Sequence, residues 1–121
     1  MILAIKILIG FVALEHIYIM YFEMFAWTTK GRRFFRGFPK HLFEETKVLA
    51  ANQGLYNGFL AAGLIWSLLI SDPLWWKYVA IFFLGCVLVA GIYGSLTASR
   101  KIFVFQGLIP AITLGLIFLS W

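Results

Sequence analysis

Charge is what this sequence has least of. Asp and Glu together number five in 121 residues, and charged side chains make up 12% of the chain, where soluble domains carry about 25%. A water-facing surface cannot be built from so few, which excludes an ordinary soluble globular domain. Cysteine occurs once, as Cys86 inside an apolar stretch, so no disulfide framework and no Cys-based metal spacing exists. No internal repeat or low-complexity segment is evident. What is present is apolar: 63% hydrophobic residues, 19% aromatic and a mean hydropathy of +0.94. Trp and Tyr favour membrane interfaces, and a bilayer is the natural solvent for such a chain.

A transmembrane helix needs about 20 mostly apolar residues. Four stretches qualify, at about Ile2–Trp27, Val48–Ile70, Leu74–Ser95 and Ile102–Trp121. They predict a single all-α domain over 1–121, an integral membrane four-helix bundle running up-down-up-down. Ser71-Asp72-Pro73 and the segment from Thr97 to Lys101 are the short connections expected between antiparallel neighbours. The first stretch is longer than the ~7–15 residues of a signal core and no small-residue cleavage site follows it, so it is expected to stay in the mature protein. Between Thr28 and Lys47 lies the one sizeable loop, where Pro39 is placed to begin a helix with Glu44 and Glu45 in its early turns.

The basic residues are gathered rather than spread. Lys30, Arg32, Arg33, Arg36, Lys40 and Lys47 fall in the first loop, and Arg100 and Lys101 in the third. Both loops lie on one side of a four-span chain, which the positive-inside bias makes cytoplasmic, leaving both termini outside. Charge so placed sets topology and meets anionic lipid headgroups. Nucleic acid is not an expected partner, because no reader fold accompanies the charge.

Three ionisable side chains, Glu15, His16 and Glu23, stand inside the first apolar stretch. An ionised group in hydrocarbon costs about 2.5 kcal/mol or more, so such residues normally face a bundle interior and mark function. No Lys or Arg is available inside a span to neutralise them. At 100° per residue one sector of the helix can present all three. The second stretch adds Asn52, Gln53, Tyr56 and Asn57 at one-turn spacings, beside a ridge of small residues, Ala50, Gly54, Gly58 and Ala62, that admits a close neighbour. Tyr93 in the third stretch and Gln106 in the fourth complete the polar set, with Pro110 placed to kink the last helix. Counted from the helix ends, Glu23, Asn52 or Gln53, and Gln106 fall at one depth, and a shared polar funnel opening to the cytoplasm is expected. The alternative for each is a hydrogen bond across helices for packing alone. Glu15 and His16 diverge around the helix, so no metal ligand set and no cofactor is expected.

The runs Leu14-Glu15-His16 through Glu23-Met24-Phe25, and Asn52-Gln53-Gly54-Leu55-Tyr56-Asn57-Gly58-Phe59-Leu60-Ala61-Ala62-Gly63, resemble the family of small bacterial membrane proteins catalogued as domain of unknown function 1304. The resemblance covers essentially the whole chain. It implies a four-helix bacterial membrane protein and implies no activity. Small multidrug exporters share only the architecture and a glutamate in the first helix, and emopamil-binding sterol isomerases only the use of buried His, Glu and Asn.

Three readings follow. The first is a multi-pass protein of the bacterial cytoplasmic membrane whose polar pocket binds or transports a proton, a cation or the polar end of a lipophilic ligand. The second is an intramembrane enzyme with one glutamate as general base, acting on a lipid or isoprenoid-like substrate. The third is a structural subunit whose polar residues specify pairing with a partner or with copies of itself. Membrane lipids are expected partners in all three.

Overall fold

The computed structural model describes residues 1–121 and is helical throughout, with no strand. Helix α1 spans Ile2–Phe25, α2 Lys30–Phe34, α3 Leu42–Glu45, α4 Lys47–Leu69, α5 Trp75–Thr97 and α6 Leu108–Leu119, with a π-helical turn over Phe103–Gly107. The long helices coincide with apolar runs free of Pro, in which each backbone N–H and C=O is satisfied within its own segment. Between α4 and α5, Asp72 Oδ1 accepts the backbone N–H of Leu74 at 2.9 Å and of Trp75 at 2.8 Å. These bonds start α5 and hold the Asp72 carboxyl below its ordinary range.

The effect of Pro110 takes a definite form. Its ring has no N–H for the carbonyl of Gln106 and crowds that carbonyl. Immediately upstream the helix widens, and the N–H of Leu108 reaches back five residues to the Phe103 carbonyl, a π-helical pattern.

α1 and α5 are long and apolar enough to cross a membrane, by length and composition. A core helix of a soluble protein would be mostly buried, whereas the apolar windows of these two are only 28% and 22% buried. Along α1, Leu3, Ile7, Phe11, Leu14, Tyr18, Tyr21 and Phe25 are all exposed, and their three- and four-residue spacing places them on one outward face. α4 does not meet that measure, because Asn52, Gln53 and Asn57 lower its hydropathy.

The chain divides into two compact units, Met1–Leu14 with Leu60–Trp121, and Glu15–Phe59. The core of the first is Ile5, Ile9, Val12, Leu64, Ala80, Leu84, Val87 and Ile117, all fully buried. In it α5 meets the π-helical turn at Gly91, where a Cβ would stand 3.0 Å from the Gly107 nitrogen and 3.1 Å from the Gln106 carbonyl carbon. Only a residue without a side chain allows backbone to approach backbone so closely.

Two lysines lie within the apolar helices α1 and α5. Lys6 lies within α1 with its Nζ 5.3 Å from the Trp76 ring centroid. Lys77, in the first turn of α5, is buried and donates to the Ser120 carbonyl at 2.9 Å, with the Trp121 ring 5.3 Å away. A long aliphatic stem lets each cation lie along apolar surface and end at aromatic faces and a helix C-terminal carbonyl.

Candidate functional site

The second unit, Glu15–Phe59, holds most of the polar set. Here α4 comes close to α1 through its glycines. A Cβ at Gly54 would meet Met24 Cγ at 2.8 Å and the Met20 carbonyl oxygen at 3.0 Å, and one at Gly58 would meet Met20 Sδ at 2.5 Å. That approach brings polar groups of the two helices within hydrogen-bonding reach. Asn57 Nδ2 donates to Glu23 Oε1 at 3.1 Å and to the Gln53 carbonyl oxygen at 3.2 Å. Both N–H bonds of the amide are thereby used. Glu23 keeps its second carboxyl oxygen uncommitted.

Glu23 and Asn52 line one cavity of about 390 Å³ together with Met24, Phe25, Trp27, Val48, Ala51 and Leu55, and with Thr28 and Lys47. The volume falls within the ~300–1,000 Å³ of small-molecule sites. Glu23 and Met24 at the end of α1, with Trp27 and Thr28 from the turn that follows it, make one side; Lys47, Val48, Ala51, Asn52 and Leu55, at helical spacing on α4, make the other. The result is one carboxyl, one amide, one hydroxyl and the Lys47 ammonium among apolar and aromatic walls. Lys47 also pairs with Glu44, whose carboxyl is held below its ordinary range by the hydrogen bond from Lys47 and by that cation's charge.

The other sequence-selected residues lie elsewhere. His16 is buried at 2% exposure. Glu15 has one carboxyl oxygen, Oε2, buried without a hydrogen-bond partner. Gln53 takes part through its backbone carbonyl, its side chain being exposed. Tyr56 is exposed and meets Phe59 edge-on at 6.0 Å. Tyr93 and Gln106 belong to the first unit and are not among the cavity's lining residues. Tyr93 is exposed and its carbonyl accepts from Thr97 Oγ1 at 2.8 Å, while Gln106 sits in the π-helical turn pressed against Gly91. No three His, Cys, Asp or Glu side chains gather as a metal ligand set would.

Sequence reasoning passed over Trp27, Thr28 and Lys47. Part of the signal was available: the face of Asn52 traced back by one turn reaches Val48 and Lys47, whereas Trp27 and Thr28 lie in the turn after α1 and no helical pattern points to them.

A family model described as "Protein of unknown function (DUF1304)" matches residues 10–118. The chain is similar to the uncharacterized protein YpaA of Lactococcus lactis subsp. lactis (strain IL1403), at 40% identity over 98 residues covering 79% of this chain and 81% of that protein. No solved structure matches it.

Proposed function

The chain belongs to the DUF1304 family, and on that premise we propose that it is a multi-pass protein of the bacterial cytoplasmic membrane that binds the ammonium-bearing end of a lipophilic molecule at Glu23. In this reading the 121 residues form one transmembrane domain of four spans, with both termini outside and the basic loop 28–47 in the cytoplasm. The outward apolar face of α1 and the hydropathy of α1 and α5 support a bilayer as solvent. The eight basic residues of the two loops support the orientation.

The observation that carries the binding role is the Glu23 carboxyl, fixed by Asn57 through one oxygen and left with the other, at a cavity with apolar walls on both sides and Thr28, Lys47 and Asn52 among them. A preset acceptor suits a donor that brings its own positive charge. The walls formed by Met24, Trp27, Val48 and Leu55 suit a hydrocarbon body. Cation and chain together describe a long-chain amine.

The test titrates dodecylamine and dodecanol into purified protein and follows Trp fluorescence, to which Trp27 contributes from the cavity wall. Glu23→Gln is expected to keep the fold, weaken dodecylamine at least tenfold, the equivalent of losing one charge-assisted hydrogen bond, and leave dodecanol unchanged. Equal affinity of wild type and variant for the amine would refute the reading. Mass spectrometry of the detergent extract separates the rivals: an unaltered amphiphile agrees with binding, a chemically altered one favours an enzyme, and an empty cavity with a tightly held protein favours a subunit role.

A further inference from the structure

The loop between α1 and α4 is folded rather than slack. Trp27 sits with its ring centroid 5.6 Å from Phe35, 5.9 Å from Phe38 and 5.1 Å from Phe43. Phe43 is fully buried, and Gly31 leaves room for it, since a Cβ there would come within 3.2 Å of Phe43 Cε1. Trp27 Nε1 donates to Thr46 Oγ1 at 3.0 Å, and that hydroxyl donates to the Leu42 carbonyl at 2.7 Å. The short helix α2 and the turns closed by Phe35 N–H to Gly31 and by Phe38 N–H to Phe35 carry the basic residues on this aromatic base.

Four of those residues share a second cavity, of about 430 Å³, lined by Arg32, Arg33, Arg36, Phe38 and Lys40. No carboxylate is among its walls. Glu44 lies close enough to Arg32 to feel its charge but is paired with Lys47, and the loop from Lys30 to Lys47 keeps six cations against Glu44 and Glu45. Three guanidiniums and an ammonium around one space repel one another unless an anion fills it. Guanidinium forks bind phosphate oxygens in pairs, and one carboxylate would leave most of these donors unused. Phe38 gives the cavity one apolar wall.

We propose that Arg32, Arg33, Arg36 and Lys40 form a binding site for the phosphomonoester headgroup of an anionic lipid. Diffuse attraction of loop charge to a negative surface would not distinguish one basic loop from another; the site proposed here would, because four cations of this loop line one cavity. The lipid source rests on the membrane reading above, whereas the phosphate chemistry is independent of Glu23.

The experiment uses full-length protein in a neutral detergent, titrated with short-chain phosphatidic acid, short-chain phosphatidylcholine or inorganic phosphate, and counts bound molecules by native mass spectrometry. The wild type is expected to hold one phosphatidic acid at least tenfold more tightly than phosphatidylcholine. Arg33→Gln with Arg36→Gln should abolish that preference, and Arg100→Gln with Lys101→Gln, which removes the same charge, should leave it intact. Arg36→Lys, which keeps the charge and loses the fork, should weaken it severalfold and guards against misfolding of the double variant. Equal loss in the Arg100/Lys101 variant, or no preference over phosphatidylcholine, would overturn the site. Inorganic phosphate binding as tightly as the lipid would overturn the lipid assignment. Because Glu23→Gln does not touch these residues, phosphatidic acid binding should survive in it even where amine binding is lost, and failure of one proposal is thereby told from failure of the other.

Discussion

The crossing at Gly91 offers a sharp test of the packing between α5 and the π-helical turn. A methyl added at Gly91 would lie 3.0 Å from the Gly107 nitrogen and 3.1 Å from Gly107 Cα and the Gln106 carbonyl carbon. These are backbone atoms, so no side-chain rotation can relieve the contact. Overpacking of this kind costs about 1–3 kcal/mol. Against it stands the helix-propensity gain of Gly to Ala, about 1 kcal/mol. Gly85, in the same helix, has nothing within 4 Å of a built Cβ, so Gly85→Ala keeps the gain without the crowding. Subtracting one variant from the other cancels propensity and leaves the crowding of about 1–3 kcal/mol, which for a chain of this size corresponds to roughly 4–12 °C in thermal midpoint. Thermal unfolding in detergent, followed by helix content, is expected to place Gly85→Ala above wild type and Gly91→Ala below Gly85→Ala by that margin. Equal shifts in the two variants would show that the backbone crossing is not where we place it.

Three further outcomes are expected. A double-mutant cycle between Glu23→Ala and Asn57→Ala should return a coupling of about 0.6–2 kcal/mol, the range of hydrogen bonds between membrane helices, and a coupling of zero would mean that the pair does not form. The backbone bonds to Asp72 lower its folded pKa beneath the ordinary 3.8, so the charged form adds stability above that pH and the addition disappears as pH falls through the lowered folded value. The gap in thermal midpoint between wild type and Asp72→Ala should accordingly be constant from neutral pH to about 5 and shrink below about 3.8; a gap independent of pH would refute the role of the charge. Single cysteines at Gly37 and Ser71 should react with an impermeant thiol reagent from opposite sides of the membrane, and labelling of both from outside would contradict the orientation we propose.

The parts of the fold that depend on one segment at a time were legible in the sequence. Apolar runs stand where α1, α4, α5 and α6 are found, two of them, α1 and α5, long and apolar enough to cross a membrane, and the break at Ser71-Asp72-Pro73 rests on the capping chemistry of Asp72. The pairing of Glu23 with Asn57 follows from Gly54 and Gly58, whose four-residue spacing already announced a close neighbour. Less legible was everything set by how segments turn about their axes. Pro110 announced a disturbance, but not that it would take the form of a π-helical turn, nor that Gln106 would be drawn against Gly91. The charge of Lys77 speaks for water, and the carbonyl of Ser120, 43 residues on, gives it a partner that no local pattern could reveal. Trp27 marked only the end of the first apolar stretch, and its ring contacts come from a loop whose fold depends on Phe43 being buried.

Trp27 is one indole with two duties. One surface of it belongs to the wall of the Glu23 cavity, and its remaining contacts, with Phe35, Phe38, Phe43 and Thr46, are the scaffold of the arginine-bearing loop. An occupant that shifts the indole therefore does work on the loop, and by thermodynamic reciprocity an anion that stiffens the loop changes the affinity of the cavity by the same factor. The two ligands would then sense each other without touching. Measuring dodecylamine affinity with and without saturating short-chain phosphatidic acid gives that factor directly, and a value of one would mean that the indole stays still when either site is filled.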